Sequence, residues 1–577
     1  MVSHKIPYGF SNYKEIRTGK YLYVDKTKYI EELERLNSKY LVFLRPRRFG
    51  KSLFVSMLHY YYDRQSAVDF QQLFGDTYIG NHKTASANTY YILRLEFSGL
   101  DGRSEEHLRN AFYAKVHAAI RSFVAYYGEE IRIMENKMAD SAMLLNYFLS
   151  DLDAAGKKLY ILIDEYDHFA TNIIENPDFF SSVTGRDGFV RRFYEVLKDH
   201  TGTGCVDRMF ITGVTSMTLD SLTSGFNISK NISMDPRANG MAGFTEAETR
   251  KMLDDLGLTD ADGIMERLIA YYNGYVFCHD PEQAKRILNS SLVMYFLDEY
   301  MSSNQNGPRQ MADANIRSDY GKLTNMFGLY RDVESRTEIL RSIIEGKPAE
   351  ADIVTEFSMF SDTFGRDEFL SMLFYMGLLT IKGPGTVYDV VLETPNAVIR
   401  DVYYKYYADY LKIEKTEKRD AVRQIAHHDD FTELNRLIER ILRTHSNEDF
   451  KAFDEHRLKT AILSCFSDQN IYLVKSEYES GGRRPDIALL DFRGENSQVP
   501  FHYLIELKYL KKSDASEHAV EKARKEAYSQ MQEYLELEEF ARDDRMKGVI
   551  YVVVKDKIRC FEKVAAKSNK AGPGECT

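Results

Sequence analysis

The chain of 577 residues has no tryptophan, only five cysteines and no excess of basic residues. The missing tryptophan decides nothing. The cysteines (Cys205, Cys278, Cys465, Cys560 and Cys576) are scattered and form no C-x-x-C pair, which speaks against a zinc site or a disulfide framework. No apolar run approaches the ~18 residues a membrane helix needs, so no membrane partner is expected. The opening residues, MVSHKIPYGF, lack the apolar core of a signal peptide. Together these absences point to a cytoplasmic, reducing environment. A net charge of −11 argues against a protein coated in nucleic acid. It leaves room for a local basic groove, because docking follows the local field.

What is present fits soluble globular domains, with 44% hydrophobic and 28% charged residues. The length suggests about three domains. The most informative stretch is Arg45-Pro46-Arg47-Arg48-Phe49-Gly50-Lys51-Ser52, between the apolar run Tyr40 to Leu44 and a helical pattern from Leu53 to Tyr62. Strand, Gly-Lys-Ser turn and helix are the context of a phosphate-binding P-loop. There, backbone N–H groups face the anion, the Lys reaches the β- and γ-phosphates, and the Ser hydroxyl holds Mg²⁺. The first consensus glycine is missing and Arg45 stands in its place. That corner should therefore avoid positive φ or accept strain. Arg45, Arg47 and Arg48 either add charge around the phosphates or pair with acidic neighbours.

A second run, Leu159 to Ile163, reads as a strand buried on both faces and ends in Asp164-Glu165. In P-loop enzymes an Asp there binds Mg²⁺ and a following Glu polarises the attacking water. Strands also end in acidic residues simply because the chain meets solvent; Lys51-Ser52 on a similar strand favours the phosphate reading. A third strand, Arg208 to Val214, ends in Thr215-Ser216. Thr215 is either a γ-phosphate sensor or an ordinary cap or turn residue. Strands alternating with helices predict an α/β layer fold with a mostly parallel sheet and its ligand at the carboxyl ends of the strands.

The stretches YLYVDKT, RPRRFGKS, ILIDEYD, GVTSMTLDSLTSGFNIS, GFTEAE and YYNGYVF, in this order over about residues 5–300, resemble the predicted AAA-ATPase-like proteins of bacteria, which usually carry a C-terminal PD-(D/E)XK nuclease-like domain. The resemblance implies an ATP site formed by Arg47, Arg48, Phe49, Gly50, Lys51, Ser52, Leu53, Asp164 and Thr215, with Ser52 and Asp164 on the metal and Glu165 catalytic. It implies contacts for Asp25 and Lys26 only weakly. It places Asn273-Gly274-Tyr275 in a small helical lid, where the glycine could simply end the preceding helix. An Asn-Pro segment common in the family is here Leu288-Asn289-Ser290-Ser291-Leu292, without the proline, and its role stays open.

Further on, the polar cluster Ser302 to Pro308 reads as a linker. A helix from Asp367 to Met376, ending at Gly377, precedes two strands (Leu378 to Lys382 and Val387 to Leu392) around Gly383-Pro384-Gly385. That is the end of a winged-helix unit. With Lys382 as the only basic residue of its tip, a packing role is favoured over DNA binding.

The C-terminal region carries Pro485-Asp486 and then Glu506-x-Lys508. Residues i and i+2 of a strand share a face. If the strands form an antiparallel hairpin with Asp491 opposite Phe501, Asp486 falls opposite Glu506. Two carboxylates that close repel unless a cation or a proton joins them. Mg²⁺ with oxygen ligands fits, and Mn²⁺ is an alternative. Lys508 can then orient the attacking water or stabilise charge growing on phosphorus. Alternating charges are common on exposed strands, but Leu504, Ile505 and Leu507 mark this one as buried. The helix segment with Gln530 and Tyr534 at i,i+4, and the run SEYESGGRRPDI, resemble the RecB-like branch of the PD-(D/E)XK nucleases over about residues 450–560. By that resemblance Asp486, Glu506, Lys508 and Gln530 are catalytic, and Asp486, Glu506 and Glu477 bind metal. Glu477 ranks above Glu455 as the outer ligand. Arg483, Arg484, Lys511 and Lys512 form either a phosphate-holding edge or solvated loop charges.

The expected fold is therefore α/β: a P-loop NTPase with an ASCE-type parallel sheet (1–285), a helical lid with a winged-helix-like middle (286–430), a restriction-endonuclease-like nuclease domain (431–566) and a disordered tail (567–577). The expected function is ATP binding and hydrolysis coupled to Mg²⁺-dependent phosphodiester cleavage, with DNA as partner, in a mobile-element or phage-defence setting. The alternative is a nucleotide-controlled switch or scaffold whose nuclease-like domain only binds nucleic acid. A homo-oligomer with an arginine finger supplied in trans is compatible with the sequence, which singles out no arginine for it.

Overall fold

The computed structural model describes residues 5–565 apart from 101, 129–139, 174–175, 186, 217–227, 259, 281, 283, 304–306, 309, 331, 356, 358–363, 388, 444–452, 470, 477–481 and 492–498. The chain divides into two compact units: Met1–Glu299 with Gly321–Ile339 and Pro348–Ala397, and Tyr300–Tyr320 with Leu340–Lys347 and Val398–Thr577. The stretch 286–430 contributes to both. Glu477 and the tail from 567 lie outside the described residues.

In the first unit the apolar runs pair as β1 (Tyr40–Leu44), β2 (Tyr91–Glu96), β3 (Leu159–Asp164), β4 (Val206–Gly213) and a short β5 (Lys230–Asn231). They form a parallel sheet in the order β2-β3-β4-β1-β5. Every residue of β3 is buried, as a parallel strand covered on both faces requires. Helices α1 (Lys51–Tyr62), α2 (Glu105–Tyr127) and α3 (Phe189–Thr203) pack against the strands. The α2 helix starts where Ser104 Oγ accepts the N–H of His107, the cap that satisfies a free amide at a helix start. With β4 between β1 and β3, the sheet has the ASCE order, and the turns after β1, β3 and β4 emerge from one edge.

A helical layer follows: α4 (Glu246–Leu256), α5 (Ala261–Tyr272) and α6 (Ser290–Ser302), with the two-residue strands Phe244–Thr245 and Ile287–Leu288 paired antiparallel. Thr245 and Glu248 close a capping box at the start of α4. The winged-helix-like part consists of β6 (Ala349–Ala351), α7 (Arg366–Tyr375), β7 (Thr380–Pro384) and β8 (Val390–Glu393), with strand order β6-β8-β7. The helix and hairpin match the sequence reading, and β6 is an addition to it. Lys382 is ion-paired to Glu393 at 3.4 Å, so the wing's basic residue is already neutralised.

In the second unit, α8 (Ala397–Tyr410), α9 (Lys415–His428), α10 (Thr432–Arg443) and α11 (Glu455–Cys465) precede a mixed sheet of β9 (Tyr472–Ser476), β10 (Ile487–Asp491), β11 (His502–Leu510), β12 (Met546–Val554) and β13 (Lys557–Val564); α12 (Glu517–Leu535) joins β11 to β12. Strand alternation splits the interior. Ile487, Tyr503, Ile505 and Leu507 join one core with residues of α9, α10 and α11. Ala488, Leu504, Ile550 and Val552 join another with Ala523, Ala527, Met531 and Tyr534 of α12. Asp486, Glu506 and Lys508 share parity with the second set. No helix among the described residues is long and apolar enough to cross a membrane.

Candidate functional sites

The turn after β1 is anchored at both ends. Arg45 N donates to Gly213 O at the end of β4. Gly50, at the start of α1, has φ +89, a conformation that L side chains rarely adopt. Arg45 itself is not among the positive-φ residues; Arg48 is, with φ 71. The Arg45 side chain is 1% exposed and turned inward. Its guanidinium donates to the carbonyls of Leu44 (2.8 Å), Ser233 (2.7 Å) and Ala238 (2.9 Å). It lies between the rings of Phe43 and Phe277 at 4.5 and 4.3 Å. Among the described residues its hydrogen-bond partners are thus carbonyls and not acids, and burial draws its pKa down. Phe49 is also internal, edge-on to Tyr275 and Phe277, and its carbonyl accepts the N–H of Gly243 at 2.8 Å. Lys51 is buried and its Nζ donates to the carbonyls of Arg45 (2.9 Å) and Pro46 (3.0 Å). Burial lowers its pKa, against the pull of Glu165, Asp164 and Asp167. Ser52 and Leu53 follow, half-buried, on the first turn of α1.

The other two turns meet at the same edge. Thr212 Oγ1 donates to Asp164 Oδ1 at 2.6 Å, fixing one carboxylate oxygen. Glu165 takes φ 53, unusual for a non-glycine residue, and burial raises its pKa despite Lys51 nearby. Asp167 accepts from Val214 N, from Thr215 N at 2.7 Å and from Thr215 Oγ1 at 3.0 Å. Tyr166 Oη donates to Thr215 O at 2.5 Å. The ends of β3 and β4 are thus cross-linked through Tyr166 and Asp167.

In the second unit β10 and β11 pair with Ile487 opposite Ile505 and Leu489 opposite Tyr503, the register expected from the sequence. One step further, Asp486 stands across from Glu506. Asp486 Oδ2 accepts the N–H of Leu507 at 2.9 Å. Lys508 Nζ donates to Glu506 Oε1 at 2.8 Å. Glu506 is 3% exposed, and its Oε2 accepts no hydrogen bond among the described residues. Burial, then the charge of Asp486, push the Glu506 carboxyl up to about 7. From α11, Glu455 Oε2 accepts the N–H of Tyr509 at 3.3 Å; burial and Asp486 raise its pKa while Lys508 lowers it. From α12, Tyr534 Oη donates to Arg484 O at 3.3 Å, and Gln530 Oε1 is buried without a partner among the described residues.

Residues 7–223 match the family model described as Predicted AAA-ATPase, and residues 453–563 match that of the PD-(D/E)XK nuclease superfamily. The chain joins an AAA-ATPase-like domain to a PD-(D/E)XK nuclease-superfamily domain. An uncharacterized protein in the vnfD 5′ region of Azotobacter chroococcum mcd 1 is 29% identical over 286 residues, 48% of this chain and 49% of that protein. The chain thus matches about half the length of this relative. Among solved structures, Cdc6p from Pyrobaculum aerophilum aligns over 69% of this chain and 98% of its own at 11% identity, with a TM-score of 0.27. The ORC1 protein of Aeropyrum pernix in complex with DNA aligns over 68% and 95% at 8% identity, with a TM-score of 0.26. These likenesses are too faint to bear on function.

Within the AAA-ATPase-like domain, Lys51, Asp164, Glu165 and Thr215 gather at one sheet edge. Asp167, three residues after Asp164, was not singled out by sequence reasoning; the signal available was a third acid in the same short motif. Asp25 and Lys26 are both engaged within the domain. Asp25 accepts from Thr27 N and Tyr78 N, and Lys26 donates to Gly240 O and Glu248 Oε2. The segment without the family's proline has a role: Ser291 N donates to Arg48 O at 3.2 Å and holds the turn from the α6 side. Within the nuclease-superfamily domain, Asp486, Glu506 and Lys508 come together with Gln530 beside them. Glu455, ranked below Glu477, faces this group. Lys459, one turn beyond Glu455 on α11, was missed. Arg483, Arg484, Lys511 and Lys512 are exposed, and Arg483 is ion-paired to Glu533.

Proposed function

We propose that the chain hydrolyses ATP at the turn after β1 and cuts phosphodiester bonds of nucleic acid, with DNA as substrate, at Asp486, Glu506 and Lys508. The observation that carries this reading is the β10–β11 register, which sets two carboxylates and a lysine on one face of a buried hairpin. Among the described residues no three His, Cys, Asp or Glu side chains form a ready-made metal-ligand set. Two carboxylates nevertheless suit Mg²⁺ or Mn²⁺, which commonly keep several waters. The buried Glu506 Oε2 and the raised Glu506 pKa fit a divalent cation between the two carboxylates. Asp486 and Glu506 would hold that ion, which supplies Lewis-acid polarisation of the phosphoryl group and a more acidic attacking water.

The chain's own groups do the rest. Lys508, tethered to Glu506, orients the attacking water and stabilises negative charge growing on phosphorus. Arg484, and Arg483 on exchanging its pair with Glu533, hold flanking phosphates from the exposed stretch before β10. In the first unit the backbone N–H groups from Arg47 to Leu53 receive the nucleotide's phosphates. Lys51 exchanges its contacts with Arg45 O and Pro46 O for phosphate oxygens. Glu165, whose pKa burial raises, takes the proton of the attacking water, and Ser52 and Asp164 are the residues that would hold Mg²⁺.

The test is plasmid cleavage with Mg²⁺ or Mn²⁺, with and without ATP, by the wild type and by Lys508→Ala and Lys51→Ala variants. Cleavage should vanish in Lys508→Ala, and ATP turnover in Lys51→Ala. Cleavage that survives Lys508→Ala would overturn the nuclease assignment. Retained plasmid binding without cleavage by the wild type would favour the switch or scaffold reading.

A further inference from the structure

The α11 helix brings a second lysine to the nuclease site. Lys459 lies four residues after Glu455, so both side chains leave the same face of the helix. Lys459 is 5% exposed, and its Nζ lies 3.6 Å from Asp486 Oδ1. That is a charge contact without a hydrogen bond. The other oxygen of Asp486 is occupied by the Leu507 N–H. A buried ammonium aimed at the central carboxylate of a hydrolytic site needs a reason, because lysine is rarely buried away from water.

We infer that Lys459 is a built-in cation of the nuclease site, standing where a second divalent ion would sit, so that this site takes one divalent ion. The inference rests on the metal-dependent nuclease reading above. Two-ion phosphoryl-transfer sites hold their ions about 3.5–4 Å apart, clamping the attacking and leaving oxygens. A carboxylate bridging such a pair needs an oxygen for each ion. Asp486 Oδ2 is tied to the backbone, which leaves Oδ1, beside Lys459, for a single ion. Charge leads to the same conclusion. Asp486, Glu506 and Glu455 act on one another and on Lys508. With Lys459 added, the ionised group among the described residues carries one net negative charge. One divalent ion turns that to a single positive charge, which a phosphodiester neutralises. Two ions would leave a buried excess of positive charge with a lysine on each side of the carboxylates, which a low-dielectric interior penalises. Lys459 thus shares the work with Lys508: one ammonium beside Glu506, the other beside Asp486.

The test uses the full chain, without nucleotide, titrated with Mn²⁺ by calorimetry and followed by electron paramagnetic resonance. Ions belonging to the site are those lost in Asp486→Asn. The wild type should bind one, with the spectrum of an isolated Mn²⁺. Lys459→Met should bind two, with the exchange-coupled spectrum of neighbouring ions, and Lys459→Arg should return to one. Circular dichroism checks folding. Should Lys459→Met not fold, the wild-type count and Lys459→Gln decide instead. Two coupled ions in the wild type, or one ion still in a folded Lys459→Met or Lys459→Gln, would overturn the role of Lys459 and leave the nuclease reading intact. No Asp486-dependent binding in the wild type would overturn the metal-dependent reading and this inference with it.

Discussion

Arg45 stands where the consensus has glycine, and its side chain is engaged in the interior of the first unit. Three carbonyls receive its guanidinium and two rings enclose it. Arg45→Gly, which restores the consensus, should lower stability by about 2–4 kcal/mol, read as a lower thermal midpoint of the first unit. Arg45→Lys should not rescue it, since an ammonium offers no planar fork and stacks poorly. Glu506 makes a pH prediction. Its carboxyl is raised from 4.5 to about 7 by burial and by Asp486. In that window the folded chain holds a proton that the unfolded chain has released, so stability falls as pH rises. In EDTA the thermal midpoint of the second unit should drop across this range, and Glu506→Gln, neutral throughout, should flatten the drop. An equal slope in the variant would place the titration elsewhere.

At the scale of elements, turns carry more of the site than strands do. Asp167 ties the end of β3 to Val214 and Thr215 at the end of β4. Asp167→Ala should cut ATP turnover about ten- to a hundredfold while nucleotide affinity, measured by titration, changes little, because it releases Thr215 and leaves the Lys51 contacts with Arg45 O and Pro46 O in place. Gly274 ends the turn after α5 with φ +104, and a Cβ there would meet Pro395 O at 2.1 Å. Gly274→Ala should cost about 3 kcal/mol or more, since neither the backbone angle nor the carbonyl can yield cheaply. The β10–β11 hairpin was legible in advance because period two and one facing pair determine its register. The helical approach of Glu455 and Lys459 was not, because the spacing within α11 does not say which strand it meets.

At the scale of the molecule, the two units carry two candidate sites, one at the carboxyl ends of a parallel sheet and one on the central strand of a mixed sheet. Hydrogen exchange should therefore report them separately. A non-hydrolysable ATP analogue should protect the amides of residues 45–56 and 159–167, and Mn²⁺ those of residues 486–491 and 502–510. Protection of both sets by either ligand would instead reveal coupling between the units.

The sequence by itself determined the strands, the Gly-Lys-Ser turn, the acidic ends of β3 and the hairpin of Asp486 with Glu506 and Lys508. These rest on neighbouring residues and on side-chain periods of two and 3.6, which operate before the chain has any partner. Tertiary structure decided what lies around them. It turned Arg45 inward onto Phe277 and Ser233, engaged Thr215 with Asp167, and buried Lys459 beside Asp486. Those contacts join residues far apart in the chain or on different elements. Burial selects them, and burial is a property of the assembled layers.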